Sequence, residues 1–495
     1  KKSMNKTAKG ILIGAGVLVL LSGALVALKL TEPDSGTASG SSLSSQEDHS
    51  TLLWELDEKD IKSVAVTFGT DSYTILPEAP TQDDDGNTVY NYTLENTTGL
   101  NVDTVLLRTV ASRAVAVTAV NTVEEHTSDL AQYGLDKPRA TVTLTMQDGT
   151  VKAFSIGNAS PLSSQTYFAL KGEDTVYTVA SDKLSPFLKG EGEYLSKEIV
   201  PERAEDDNTI LEEILIQRKD LDYDIRLKYD SFYANVENGG TTATHIMTQP
   251  VPCNVNPDRG SKITVGMYGL TASGVVKVHP TQADLEAYGL EDPFCTMTVT
   301  TDAGVIQTLK IGKSFQLEGD DTVYYYGYYD GVDVAYSFSA ETAPCISVQP
   351  RDISSGLVFT TYVWDIGKLT VTAKDRETMT FTGSGTSKDD YQVQLNGKEA
   401  DPERFRKFYV FLLKTAAEDL CLNGETVQGD PLATITLERQ DGKKTQTVSF
   451  YEAEGRKVYI EVDGVCAFMC RRSFVDTLFK NMDLYDTDQD FILNW

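Results

Sequence analysis

DLAQYGLDKPRATVTLTMQDGTVKAFSIG occupies residues 129–157, and DLEAYGLEDPFCTMTVTTDAGVIQTLKIG occupies residues 284–312. The two stretches align without a gap at a constant offset of 155, and 12 of their 29 positions are identical. Each begins with an extended turn, Tyr133-Gly134-Leu135 or Tyr288-Gly289-Leu290, followed by Pro138 or Pro293. Proline fixes φ and has no N–H, so it suits a strand entry or edge. Strict alternation follows, with Val142, Leu144 and Met146 on one face and Thr141, Thr143 and Thr145 on the other. That period of two predicts a half-buried strand with the aliphatic face inward. Asp148-Gly149 supplies a hairpin turn, and a return strand ends at Ile156-Gly157.

A weaker third copy starts at Asp430-Pro431 and runs to Phe450; it keeps the threonine alternation and Gly442 but lacks Tyr-Gly-Leu. Further triplets follow the hairpins: Thr175-Val176-Tyr177, Thr322-Val323-Tyr324 and Lys457-Val458-Tyr459. These are expected to open one equivalent strand. Short closing helices are expected at Ser181–Leu188 and Arg472–Phe479. Upstream, the apolar stripe Phe405, Phe408, Tyr409, Leu412, Leu413 and Ala416 follows helical spacing over Asp401–Ala417, with Asp401 as cap and Pro402 at the first helical position. Val102, Leu106, Val110, Ala114 and Val117 repeat the stripe; Gly266 and Gly269 interrupt its second occurrence. Alternating segments open each unit at Ile61–Phe68, Ile214–Tyr229 and Trp364–Ala373. The expected fold class is α+β: three β-rich repeat modules, at 51–195, 196–353 and 354–495, each of antiparallel strands packed with a helix around its own core.

An anchor is expected before them. Ile11–Leu28 is uncharged over 18 residues, about 27 Å as a helix and close to the hydrocarbon thickness. Lys1, Lys2, Lys6 and Lys9 precede it, which predicts a cytoplasmic basic tail (1–10), a transmembrane helix (11–30) and an exported remainder. The run exceeds a usual signal-peptide core and has no A-x-A site after it. Residues 31–50 are Ser- and Gly-rich and read as a flexible tether. The expected location is the cell membrane, single-pass, with the C-terminal region extracellular.

Net charge is −29; beyond the first thirty residues, 39 cations face 73 acids, a balance of −34. Such a surface repels phosphate backbones and anionic headgroups, which excludes nucleic acid as a partner. The six cysteines form no CxxC pair and have no histidine at a common zinc spacing. They are expected to be free or mostly free, since modules of this length need no staples.

Tyr-Gly-Leu-x-x-Pro, a threonine–valine strand, a glycine turn, Ile-Gly and then Thr-Val-Tyr together resemble the domain-of-unknown-function 4340 family. The resemblance covers 129–188 and 284–339 well and the third copy loosely. That family is similar in part to the extracytoplasmic portion of gliding-motility-type ABC transporter auxiliary proteins. The resemblance implies protein partners in a membrane complex, and carries no catalytic or ligand residue.

The four histidines are dispersed, and the chain has no His-Glu-x-x-His, G-x-S-x-G or phosphate-binding loop. No catalytic residue, metal site or cofactor is expected, and the chain reads as a non-enzyme. Asp486, Asp488 and Asp490 alternate as in a calcium loop, but Phe491 stands where glycine is needed, so they read as a solvated turn. Asp83 to Asn87 reads as a polar hairpin loop. Tyr324, Tyr325, Tyr326, Tyr328 and Tyr329 form the one candidate binding surface, an aromatic platform for a sugar ring or a partner's edge. Tyr133, Gly134, Leu135 and Pro138, with Tyr288, Gly289, Leu290 and Pro293, read as structural: the glycines at positive φ, the leucines plugging the core. The leading functional expectation is a membrane-anchored auxiliary protein of an ABC-type transport complex. The alternative is a surface module binding wall carbohydrate.

Overall fold

The computed structural model describes residues 50–161, 164–239, 242–415 and 417–495. The expected anchor and nearly all of the tether lie outside the described residues. Among the described residues no helix is long and apolar enough to cross a membrane.

The aliphatic faces of the hairpins are the buried ones. Val142 and Leu144 in the first copy, Met297 and Val299 in the second, and Ile435 and Leu437 in the third all point into cores. The threonines between them are half-exposed or exposed. Each hairpin lies at the middle of one antiparallel sheet. In the first sheet Ala140–Met146 pairs on one side with Val151–Ala159 and on the other with Ile61–Phe68. The order from edge to edge is Tyr92–Leu94, Asp71–Pro77, Ile61–Phe68, the hairpin, Gln165–Leu170, Val176–Ala180 and Asn121–Glu124.

The second sheet repeats this arrangement around Leu211–Arg218, Cys295–Thr301 and Ile306–Phe315, and the third around Ile366–Ala373, Ala433–Arg439 and Thr445–Glu452. Both have nine strands, against eight in the first. The molecule is thus β-rich with few helices, an α+β fold. Ile214–Tyr229, expected as one opening segment, is two strands, Leu211–Arg218 and Ile225–Tyr229, which pair with each other.

A helix covers the first and third sheets. Thr104–Val115 is capped by Asp103, whose carboxylate accepts from Leu106 N, and buries Leu107, Val110, Ala111 and Ala114. Val117, expected on its stripe, lies instead on Ala116–Ala119, which pairs with Thr51–Glu55. Pro402–Leu413 is capped by Asp401 and buries Phe405, Phe408, Tyr409, Phe411 and Leu412. Each such side chain contributes roughly 1.5–3 kcal/mol when fully buried. In the second sheet the helix shrinks to Ser261–Thr264, and Gly266 and Gly269 follow at φ 67° and 74°.

The Thr-Val-Tyr triplets are not equivalent. Thr175-Val176-Tyr177 leads into Val176–Ala180, the fourth strand counted from the hairpin entry. Tyr324 and Lys457 begin Tyr324–Tyr329 and Lys457–Val462, the third strands. Register settles the matter: Ile156 faces Phe168, and Ile311 faces Gly327, so Gln165–Leu170 is the true counterpart of the tyrosine strand.

The modules do not have separate cores. Buried side chains of the first and second sheets form one continuous cluster, from Trp54 to Ile353, and the third sheet has its own. The turn Glu191–Tyr194 closes on Gly274–Val278, where Gly192 packs so tightly that a Cβ would lie 2.8 Å from Val275. Ile199 N donates to Leu270 O at 2.8 Å. The third sheet is tied on by polar contacts: Ser355 N to Asn254 O, Arg351 to Asp419, and Lys444 Nζ to the Tyr233 hydroxyl. The Arg439 guanidinium lies 5.2 Å from the Phe232 ring centre.

Candidate functional site

The repeated motif is one interlocking device. Tyr133 ends a single 3-10 turn, and Gly134 leaves it in the left-handed region at φ 66°. Leu135 N then donates to Leu130 O at 3.0 Å, the long bond of a glycine helix cap. The second copy repeats this: Gly289 has φ 74°, and Leu290 N donates to Leu285 O at 2.9 Å. The turn presses on the return strand. A Cβ on Gly157 would lie 2.3 Å from Tyr133 O, and one on Gly312 would lie 2.2 Å from Tyr288 O. Both glycines sit where the return strand bulges, between Ile156 and Ala159 and between Ile311 and Ser314.

The third copy makes the dependence plain. There Phe450 takes the register position of Ile156, opposite Ala433, and Tyr451 follows where the other copies have glycine. That strand pairs with its neighbour without a bulge. The copy that lacks the Tyr-Gly-Leu turn also lacks the glycine that makes room for it.

The motif tyrosines and leucines cover the outer face of the sheet. Leu135 is buried, but with Ala169 and Val176, beside Leu130, Tyr133 and Tyr167, in a small cluster apart from the main core. The expectation that it plugs the core is therefore corrected: alternation puts Tyr167 and Ala169 opposite the core-facing Phe168. Leu290 is likewise buried. Tyr133 meets Tyr167 edge-on at 4.9 Å, and its hydroxyl donates to Glu124 at 2.7 Å. That bond to a carboxylate pushes the phenol up to about 12. Tyr288 stacks on Tyr326, the register equivalent of Tyr167, at 4.4 Å. Pro138 and Pro293 are half-buried at the strand entries; next to Pro138, Arg139 N makes the first ladder bond, to Ile156 O.

The tyrosine strand divides as alternation requires. Tyr325 and Tyr329 pack against the shared core, and Tyr325 stacks on Phe294 at 5.8 Å. Tyr324 and Tyr326 share the other face, where Phe315 stacks on both, at 5.8 and 4.5 Å. The outer row is therefore Tyr288, Tyr326, Phe315, Tyr324. A sugar platform needs an open ring face, and here the rings of Tyr326 and Phe315 lie against aromatic neighbours. Tyr324 is held further by a 2.8 Å bond to Asp320, which raises the phenol's pKa; Thr322 first, and then Tyr324, lowers that of the carboxyl. Burial, with Asp333 and Asp330 adding to it, raises Tyr328.

Asp83 accepts from Asn87 N at 2.8 Å and Gly86 has φ 81°, a closed polar hairpin loop. Asp486, Asp488 and Asp490 lie in the C-terminal turn and coil. Among the described residues no cluster of three or more His, Cys, Asp or Glu side chains is placed to hold a metal. All six cysteines are free. Two buried arginines escaped the sequence reading. Arg218 forks onto Asp220 with two 2.9 Å bonds and donates to Val348 O at 2.6 Å. Arg439 pairs with Asp441 and Asp365. In each case an aspartate two residues later was the available signal. A cleft between the second and third sheets, lined by Tyr233, Cys253, Val358, Lys444 and Phe468, is crossed by the Lys444–Tyr233 contact that joins them.

The family model for a domain of unknown function (DUF4340) matches residues 93–231 and 246–451. The chain belongs to the DUF4340 family. No curated protein and no solved structure matches it. The DUF4340 match takes in both copies of the Tyr-Gly-Leu turn and most of the third hairpin. In this DUF4340 chain the motif's side chains are spent on the neighbouring strands of their own sheet, Tyr133 on Tyr167 and Glu124 and Tyr288 on Tyr326, so the motif builds the module.

Proposed function

We propose that this chain is a membrane-anchored, extracytoplasmic, non-enzymatic interaction protein, an auxiliary component of an ABC-type membrane transport complex. The observation behind it is that the residues defining the repeat are used up in packing on the outer face of their own sheet, so the motif serves the fold and a partner meets the rest of the exposed surface. DUF4340 membership and the likeness to auxiliary proteins of gliding-motility-type transporters favour this company. The apolar run Ile11–Leu28 and the tether after it supply attachment and reach. The strongly acidic exterior disfavours anionic lipid headgroups, which suits a protein partner. Purification of the intact chain from its native membrane, with identification of co-purifying chains, tests the reading. A permease or ATPase subunit at near-stoichiometric yield supports it; recovery of the chain alone from gently solubilised membranes removes the support.

A further inference from the structure

Cys421 and Cys466 are far apart in the sequence, and the third sheet brings them together. Cys421 follows the short edge strand Asp419–Leu420, which pairs with Val465–Arg471 through Asp419 opposite Met469 and Leu420 opposite Phe468. The Cys421 amide extends that ladder by donating to Ala467 O at 2.9 Å. In a regular strand, consecutive side chains alternate between faces. Here a bulge intervenes: Ile460 faces Phe468, but Glu461 already faces Cys466. Cys466, Ala467 and Phe468 are accordingly buried in succession. The two sulfurs stand 3.5 Å apart, in contact and without a bond.

A disulfide requires the sulfurs to close to about 2.05 Å with Cα atoms roughly 4.4–6.8 Å apart. Thiols in contact on adjacent, hydrogen-bonded strands can close by side-chain rotation, while the ladder keeps the backbone in register. The Cys295 thiol is directed to the backbone carbonyl of Cys345 at 3.6 Å. The edge that carries Cys421 also receives the linker between the second and third sheets, since Arg351 donates to Asp419 at 2.7 Å and to Glu418 O at 2.7 Å.

We propose that Cys421 and Cys466 are a disulfide site, closed by exchange with a donor disulfide of the oxidised oxidoreductase or oxidised glutathione class. The thiolate of Cys466, the less buried of the two, attacks the donor disulfide; a mixed disulfide forms and one donor thiolate leaves. The Cys421 thiolate then attacks the Cys466 sulfur and expels the second donor thiolate. The chain loses two protons and two electrons, and the donor gains them as two thiols. The bond fixes the edge strand to its neighbour and so secures the seat of Arg351. The site rests on geometry and stands apart from the transporter reading, although export would supply the oxidant.

The test uses the full chain purified under reducing conditions and equilibrated with oxidised and reduced glutathione at an oxidising ratio. It is then acid-quenched, alkylated and digested without reduction. The expected result is a Cys421–Cys466 linked peptide, with both residues lost from the alkylated pool together. In C466S the linked peptide vanishes and Cys421 is recovered as a thiol or a single glutathione adduct. Wild-type protein whose two thiols stay alkylatable, carry separate glutathiones or pair with other cysteines overturns the proposal, and that readout does not depend on how the variant folds.

Discussion

Replacing Gly312 by alanine puts a methyl carbon 2.2 Å from Tyr288 O. That oxygen cannot simply retreat, because it accepts from Lys313 N, the very next residue, at 2.9 Å. Opening the contact by about 1 Å stretches that bond, which contributes about 1 kcal/mol. It also draws Leu290 out of its buried seat, and overpacking of this kind costs about 1–3 kcal/mol. The expected loss is about 3 kcal/mol. Gly304, at the hairpin turn, is the control: its φ is 75°, but a Cβ there meets nothing within 4 Å. G304A should therefore cost only about 1 kcal/mol. Urea unfolding of the full chain, followed by far-UV dichroism, separates the two; a 3 kcal/mol loss moves a midpoint by about 1 M at a slope near 3 kcal/mol/M. Tryptophan fluorescence adds a second readout. Trp54 lies in the core shared by the first two sheets, and Trp364 and Trp495 pack against the third. In a chain with those two changed to phenylalanine, G312A in the second module should shift the Trp54 transition as well. G312A unfolding like G304A refutes the steric argument. A shift in dichroism with no shift in Trp54 fluorescence refutes the shared core.

Gly134→Val places a β-branched residue at φ 66° with its Cβ 2.5 Å from the Asn158 side chain, and should lower stability by more than about 1 kcal/mol in the same assay. Arg218→Met leaves the Val348 carbonyl without its buried donor and returns the half-exposed Asp220 to water, and should cost about 2 kcal/mol by urea unfolding; a wild-type midpoint would show that the fork adds nothing to stability. His279 joins the first two sheets, with Nδ1 on Asp333 at 2.7 Å and Nε2 on Asn96 O at 2.7 Å. Both partners accept, so both ring nitrogens must donate, and the bond to Asp333 raises the imidazole above its usual value near 6.5. A raised value means stability that is complete below the unfolded pKa and lost as pH climbs through the folded one. The melting temperature of H279Q should thus fall furthest below wild type at pH 5.5, and the gap should narrow by pH 8.5; a constant gap would contradict the charged bridge.

The hairpins were legible because an alternating threonine–aliphatic strand has one way to bury its aliphatic face, and Val142 and Leu144 took it. The Pro402 helix was legible because Asp401 and Pro402 announce its start and its aromatics keep one stripe. The third strand was not. Gly157 stands 18 residues before Thr175, and Gly312 only 10 before Thr322, so matching the triplets hid Gln165–Leu170. The outer-face cluster around Leu135 escaped because alternation marks a residue as buried only when it lies on a strand. The shared core of the first two sheets is a tertiary fact, made by Glu191–Tyr194 meeting Gly274–Val278, with no local pattern to announce it. The tyrosine strand was recognised as aromatic, but its stacking on Tyr288 and Phe315 depends on neighbours in space. The Cys421–Cys466 contact depends on a bulge.

The measurement that bears most directly on the proposed role is cross-linking in intact cells with a membrane-impermeant, amine-reactive reagent, followed by purification of the chain and mapping of linked peptides. An extracytoplasmic auxiliary role predicts that lysines between 51 and 495 are labelled without breaking the cell, and that some are linked to the extracytoplasmic loops of a transporter permease. Lysines that react only after lysis, or full labelling with no link to any membrane transport subunit, would contradict it.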